Sequence, residues 1–417
     1  MADQLSINAQ APRDVHRRRR VPAVDLRVRM FGYLLMASAL MSYVPDAEPG
    51  TALFAAVLGV YSLYVVLTAR LTLADRRSKF GLAFVLFASA SVFTLVDNGY
   101  GLYEWFRAII PFLFFLTLLY LPRLNADERS WLARALFAAS MIWLGKIIVQ
   151  TILLVFEGSD VLSVRLTFRV ADSVLPFPLV AIPYLLFVDK SFSTAIRWAL
   201  LMFILYMYVW IGYRAGLALV GLVFLFYTFV NLKRFGIIQI GLLATMVAGL
   251  ISLGAFSSFS LLDRFDALSQ ERDGSRELEW IYAIDQFKSS PIIGKGMGWQ
   301  VPADITFYGV EDTEGTQAAS VGYVHSAIAY FAMNLGLIGL LLYLATVMPN
   351  LAIWRGDDLM MFSSVALGIL LLYGSTQASF RLIQTVLMTV ALIKINAMPI
   401  QLRLSSGMTR PSAKRGT

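Results

Sequence analysis

Long apolar blocks alternate with short polar turns along this chain, and the block lengths set its first reading. A transmembrane helix needs ~20 predominantly apolar residues. Blocks approaching or exceeding that length run over Met30–Val44, Thr51–Ala69, Phe80–Val96, Trp105–Leu121, Trp131–Phe156, Phe177–Val188, Trp198–Gly212, Ala215–Leu232, Phe235–Phe256, His325–Val347, Met360–Gly374 and Leu382–Asn396. The loop ending near Pro178 and the segment from about Ser257 to Val324 are too polar to be spans. The pattern predicts an all-α fold, a polytopic membrane helix bundle of about 12 transmembrane helices with a long external loop containing amphipathic helices. Five parts follow: a basic tail over 1–29, an N-terminal transmembrane bundle over 30–256, the large external loop over 257–324, C-terminal transmembrane helices over 325–398, and a basic tail over 399–417.

Charge placement orients the bundle. Short cytoplasmic turns carry an excess of Lys and Arg. The N-terminal run His16-Arg17-Arg18-Arg19-Arg20, the cluster Arg70, Arg76, Arg77 and Lys79, the turn with Arg123 and Arg129, the pair Lys233-Arg234, Arg355, and the tail with Arg403, Arg410, Lys414 and Arg415 all fall on one side. The turns Pro45-Asp46-Ala47-Glu48-Pro49-Gly50 and Asp97-Asn98-Gly99 fall on the other. Both termini are therefore expected in the cytoplasm. No cleavable h-region follows the basic N-terminal run, so the first block reads as a retained span.

Composition agrees and narrows the chemistry. Of 417 residues, 58% are hydrophobic and only 15% charged, with a mean hydropathy of +0.68, too little charge to cover a soluble chain of this length. The chain has no cysteine, which excludes disulfides, thiolate metal sites and cysteine nucleophiles. A net charge of +8 could point to nucleic acid, but most of the basic residues lie in the topology-setting turns, so no nucleic-acid partner is expected.

Some cations break the charge rule. Arg165 and Arg169 lie in the external loop before Pro176; Arg264, Arg272, Arg276, Lys288 and Lys295 lie in the long segment. Long loops are largely exempt from the rule. Arg214 and Arg381 are different, because each sits in a tight external turn, Arg214 within Gly212-Tyr213-Arg214-Ala215-Gly216. Charge at the membrane edge either snorkels to head groups or faces a functional cavity. Guanidinium forks match phosphate oxygens bidentately, so converging external arginines suit a polyanion such as a lipid-linked diphosphate. Arg107 and Lys146, near or within spans, are candidates for the same cavity or for intrabundle contacts.

The external segment is itself organised. Asp263–Ala267 and Arg276–Phe287 read as amphipathic helices, the second with Leu278, Ile281, Ile284 and Phe287 at three-residue steps after an Asp273-Gly274-Ser275 break. A glycine-rich turn follows, Ser290-Pro291-Ile292-Ile293-Gly294-Lys295-Gly296-Met297-Gly298-Trp299. It could cradle a phosphate, but no strand precedes it and a nucleotide reading is weak. His325, the one histidine outside the N-terminal tail, opens the returning helix, which continues through Gly336-Leu337-Ile338-Gly339.

In the order Arg276…Trp280, Pro291…Gly294…Gly296, His325 and Gly336-Leu337-Ile338-Gly339, with Arg214 at an outer hairpin, the sequence resembles the O-antigen polymerase and ligase superfamily. Two positions depart from the family pattern: Ser326 stands where Asn often follows the histidine, and Tyr213 where Ser or Asn often precedes the hairpin arginine. The resemblance implies a bacterial inner-membrane glycosyltransferase whose site faces the periplasm, so the external loop would be periplasmic. Its donor would be an undecaprenyl-diphosphate-linked glycan, with no cofactor, metal or nucleotide sugar. Its partners would be the lipid bilayer and chain-length regulator or flippase proteins.

His325 then reads as the base that takes a proton from a sugar hydroxyl, or, without that chemistry, as a helix-capping or packing residue. Arg214 and Arg276 would hold the diphosphate and stabilise its departing charge. Arg165, Arg169 and Arg381 are candidates for glycan or phosphate, and Tyr213 and Trp299 for stacking on sugar rings, although membrane-interface aromatics are common. No carboxylate is evidently placed as a nucleophile, which predicts inversion.

Four functions compete. Polymerisation of lipid-linked repeat units leads, followed by ligation of a finished chain to lipid A-core or protein. A lipid-linked glycan flippase or transporter would place charge deep in its spans and carry inverted repeats, whereas this chain gathers its polar residues at one face. A peptidoglycan glycosyltransferase would need a catalytic acid in the external loop, where Asp263, Asp266 and Asp304 are available.

Overall fold

A computed structural model gives the structure of the chain and describes residues 24–40, 59–61, 64, 76–159, 176–211, 214–231, 274–302, 324–351, 357–376, 380 and 382–397. The described residues are mainly helical. The helices are α1 (Leu26–Leu40), α2 (Arg76–Ala90), α3 (Val92–Asp97), α4 (Leu102–Leu113) and α5 (Thr117–Tyr120), then α6 (Ala126–Phe156), α7 (Pro176–Pro183), α8 (Thr194–Ile211) and α9 (Arg214–Val230). The chain continues with α10 (Gly274–Ser289), α11 (Ala327–Val347), α12 (Asp358–Thr376) and α13 (Ile383–Asn396).

Five of the described helical segments are long and apolar enough to cross a membrane: Ser78–Asp97, Leu102–Tyr120, Ala126–Phe156, Ala327–Asn350 and Asp358–Ser375. Pro176–Val188, Thr194–Trp210, Gly216–Val230 and Ile383–Asn396 are shorter apolar helices. The predicted spans at Thr51–Ala69 (apart from 59–61 and 64) and Phe235–Phe256 lie outside the described residues, as does the amphipathic helix expected over Asp263–Ala267. The first helix starts earlier than the apolar pattern predicts, at Leu26 rather than Met30, and so takes Arg27 and Arg29 into its opening turns. Arg27 donates to Asp25 at 2.7 Å and holds that carboxyl below the usual range, while the Asp25 amide donates to Glu128. The start of α1 is thus tied to the start of α6.

α6, the longest described helix, spans about 46 Å at 1.5 Å per residue. Asn125 and Glu128 open it with a reciprocal capping box, each side chain accepting from the other's backbone N–H at 2.9 Å. The core lies where α2, α4 and α11 meet. The ring of Phe84 stands edge-on to Phe112, Phe115 and Phe331 at 5.7–5.9 Å, a favoured aromatic arrangement.

Polar contacts gather the turns into two sets. In one set Arg129, almost wholly buried, donates to both oxygens of Asp357 at 2.8 and 3.0 Å and to the Ile395 carbonyl at 2.6 Å. Lys394 donates to the Leu121 carbonyl, and Lys190 pairs with Asp358. In the other set the Met297 amide donates to Ser91, Asn98 donates to the Lys295 carbonyl, and Glu279 meets His325.

Candidate functional site

The site is assembled by two helices and the end of a third. α11 begins with Ser326 as its N-cap, the hydroxyl accepting from the Ala329 amide. Serine and asparagine are both strong N-caps, so the departure from the family pattern at this position preserves the local geometry. Capping by Ser326 leaves the preceding His325 available for another task. His325 turns to α10, where its backbone N–H donates to Glu279 Oε2 at 2.9 Å and its ring Nδ1 lies 2.8 Å from Oε1 and 3.1 Å from Oε2.

Glu279 is 3% exposed and His325 keeps a third of its side chain accessible, so the carboxylate forms the buried side of the pair. An ionised carboxylate only accepts hydrogen bonds. Against an ionised Glu279, a neutral imidazole would carry its proton on Nδ1 and its lone pair on Nε2. The pair opens into a cleft of about 100 Å³ lined by Glu279, Trp280, Val324, His325, Ser326, Ala329 and Ser375. Ser375 lies near the end of α12, which brings the C-terminal end of that helix to the same place.

The sequence reading named His325 but passed over Glu279. α10 spans the predicted helix, yet its apolar stripe faces the opposite way from a soluble amphipathic helix. Glu279 and Ala283 are buried, while Trp280, Ile281 and Ile284 are 42–49% exposed. A carboxylate between Leu278 and Trp280, one turn beyond Arg276, was the available signal.

The glycine-rich turn also has a structural role. α11 is broken at Gly336, where φ is 62° and ψ −164°. The carbonyls and amides freed by that break are taken up by the turn. Lys295 and Gly296 donate to Met333 and Asn334 at 2.9 and 2.8 Å, and Leu337 and Ile338 donate to Pro291 and Ile292 at 2.8 and 3.3 Å. The two glycine motifs are thus the two halves of one joint. Gly294 (φ 72°) lies against the Asn334 carbonyl and Gly336 against that of Ile292, so neither place admits a Cβ. The Lys295, Gly296 and Met297 amides are all engaged within the protein, which removes the phosphate-cradle reading of the turn.

Trp299 belongs to this joint rather than to the cleft lining. Its indole N–H donates to the Tyr282 hydroxyl at 2.9 Å, its ring meets Tyr100 at 4.8 Å, and the Lys295 ammonium sits 5.3 Å from its centroid. Arg276 lies one turn before Glu279 on α10, a spacing that makes the two positions neighbours on the helix surface. Arg214 is the first residue of α9, which packs on α12. The backbone thus sets Arg276 beside the His325–Glu279 pair and Arg214 on a helix packed against another that reaches it. Arg165, Arg169, Tyr213 and Arg381 lie outside the described residues, as do Asp263, Asp266 and Asp304. Arg381 adjoins Phe380, whose ring packs on Tyr330 at 5.1 Å in the first turn of α11. Arg107 is exposed on α4 and Lys146 half-buried in α6; neither lines the cleft.

Residues 198–344 match the family model described as O-antigen ligase. The match contains Arg214, Arg276, Glu279, the glycine-rich turn and His325, and it bears out the resemblance to the O-antigen polymerase and ligase superfamily. No curated protein sequence matches the chain. Together with the apolar helices, the match indicates a multi-pass membrane protein that carries an O-antigen-ligase-like segment over residues 198–344.

Proposed function

We propose that the chain is a metal-independent membrane glycosyltransferase. It polymerises undecaprenyl-diphosphate-linked repeat units into an O-antigen, capsular or exopolysaccharide chain at the periplasmic face of the inner membrane, within a bundle of about twelve spans with both termini cytoplasmic. The observation that carries this reading is the His325–Glu279 pair at the mouth of a cleft. A carboxylate behind Nδ1 fixes the tautomer that leaves Nε2 basic, the arrangement a general base requires.

In this mechanism the acceptor hydroxyl gives its proton to His325 Nε2 as its oxygen attacks the anomeric carbon of the donor. The bond from that carbon to the diphosphate oxygen breaks, and its electron pair leaves with the diphosphate. Arg214 and Arg276 receive the growing charge, with Arg165, Arg169 and Arg381 as further contacts to phosphate or glycan. Tyr213 and Trp299 are the candidates for sugar stacking, Trp299 half-buried beside the joint. Glu279, buried and turned to His325, is assigned to positioning that ring rather than to attack on the sugar. One displacement without a glycosyl-enzyme inverts the anomeric centre.

The description of the matched family favours a second reading, in which a finished glycan passes to lipid A-core or to protein. The same site serves both, and the two differ only in acceptor. A deletion strain separates them: single lipid-linked repeats accumulate if the chain is the polymerase, and full-length unattached glycans if it is the ligase. Accumulation of neither overturns both. Chain-length regulators and flippases would act beside it.

A further inference from the structure

The outward face of α10 has no use in the chemistry above. Trp280, Ile281 and Ile284 project from it, and Ile292 and Ile293 in the following turn are 62% and 46% exposed. We propose that this face is a membrane contact: α10 and its turn are immersed in the leaflet at the bundle end where the cleft opens, rather than standing in water.

Two geometric facts carry the inference. First, α10 runs beside α11 in the same direction. Glu279 meets His325 at one end and Pro291 meets Leu337 at the other, an advance of twelve residues on each chain (279 to 291, 325 to 337), or about 18 Å along the axis. Second, α11 with its last turn must cross a hydrocarbon layer of about 30 Å, which takes ~20 residues. Beyond the break at Gly336 only 337–350 remain, fourteen residues or about 21 Å. The layer must therefore extend some way up the first half of α11, and α10 lies alongside that half.

The apolar surface is also continuous with the lipid-facing surface of the span. Leu337, Ile338 and Leu341 are 39–54% exposed on α11, and the backbones of Leu337 and Ile338 are bonded to the turn bearing Ile292 and Ile293. Trp280, nearest the cleft, then falls at the interface, where tryptophan is enriched. The exposed Lys288–Asp285 pair lies on the same face, each about 40° around the helix from Ile284 or Ile281; the two charges meet each other there, and the long lysine stem can reach the head groups. The consequence is that the His325 cleft opens at head-group level.

The chain has no cysteine, so Ile281→Cys and Ile284→Cys each accept a single nitroxide label. Labelled protein in phosphatidylethanolamine–phosphatidylglycerol vesicles is relaxed by oxygen, which concentrates in lipid, and by a nickel chelate, which stays in water. The expected result is several-fold greater relaxation by oxygen than by nickel at 281 and 284. Relaxation by nickel equal to or greater than that by oxygen at both sites would place the face in water. Exclusion of both reagents from 281 and 284 would place it under protein. Either outcome overturns the proposal, and neither reads the transferase activity.

Discussion

Glu279→Gln separates a positioned base from a structural ion pair. Both native oxygens accept, Oε2 from the His325 backbone N–H at 2.9 Å and Oε1 from Nδ1 at 2.8 Å. Glutamine keeps the length and shape but offers one acceptor and one amide donor group. With its oxygen on the backbone N–H, its NH₂ faces Nδ1 and donates to it. The ring proton then shifts to Nε2, the nitrogen assigned to receive the acceptor's proton. A positioned general base contributes about 10²–10⁴ in rate, which at 1.36 kcal/mol per tenfold is roughly 3–5 kcal/mol of barrier. The assay is single-turnover transfer by purified protein in proteoliposomes supplied with a polyprenyl-diphosphate-linked oligosaccharide. We expect kcat to fall by about 10²–10⁴ with little change in KM, because Glu279 touches His325 rather than the donor. Thermal unfolding should move by no more than one hydrogen bond's worth, about 1 kcal/mol. Glu279→Asp, which keeps two acceptors, should recover part of the rate. A Gln variant with wild-type kcat refutes the tautomer argument, and one that loses activity only in proportion to folded protein reduces Glu279 to a structural role.

Arg214→Lys should be nearly as damaging to transfer as Arg214→Ala, because a point charge cannot replace a bidentate fork; full activity in the lysine variant, measured by product length, would contradict the phosphate role. Asp357→Asn should lower the unfolding temperature in detergent, because it leaves the Arg129 guanidinium buried without its carboxylate. Removing one partner of a buried pair costs about 3–5 kcal/mol, and the 47% exposure of Asp357 places this case at or below the low end. In the wild-type protein burial pushes the Asp357 carboxyl up, but the bonds from Arg129 and the Met360 amide outweigh it and the net shift is downward. That contribution is therefore complete above the unfolded value of about 3.9 and lost as pH falls through the lower folded value, a loss the Asn variant should not show. Gly294→Ala should destabilise the fold by about 1–3 kcal/mol through overpacking against Asn334, with about 1–2 kcal/mol more from the left-handed backbone; an unchanged melting curve would mean that the joint in α11 is not rigid.

Five of the predicted spans were readable because bilayer thickness imposes a minimum length on a crossing helix, whatever it packs against. Boundaries such as that of α1 shifted where a local ion pair, Arg27 with Asp25, let the helix begin inside the basic segment. Motif order singles out His325, Arg276 and Arg214, and of these the structure sets His325 in the lining of the cleft. Glu279 does not stand out in the sequence, because a three-residue apolar repeat does not say which face of the helix packs on protein. In α10 the buried positions are Glu279 and Ala283, while Ile281 and Ile284 are turned outward. The two glycine motifs were each visible, but their union was not. Nothing in local spacing tells that the Lys295 and Gly296 amides complete hydrogen bonds that Gly336 breaks in a helix some forty residues away.

The most direct test of the account is release of polyprenyl diphosphate from a defined lipid-linked oligosaccharide by purified protein in proteoliposomes, comparing the wild type with His325→Gln. The account predicts release coupled one for one to glycan extension or transfer in the wild type, and loss of both in the variant while it remains folded and inserted. Undiminished release and transfer by His325→Gln would contradict it.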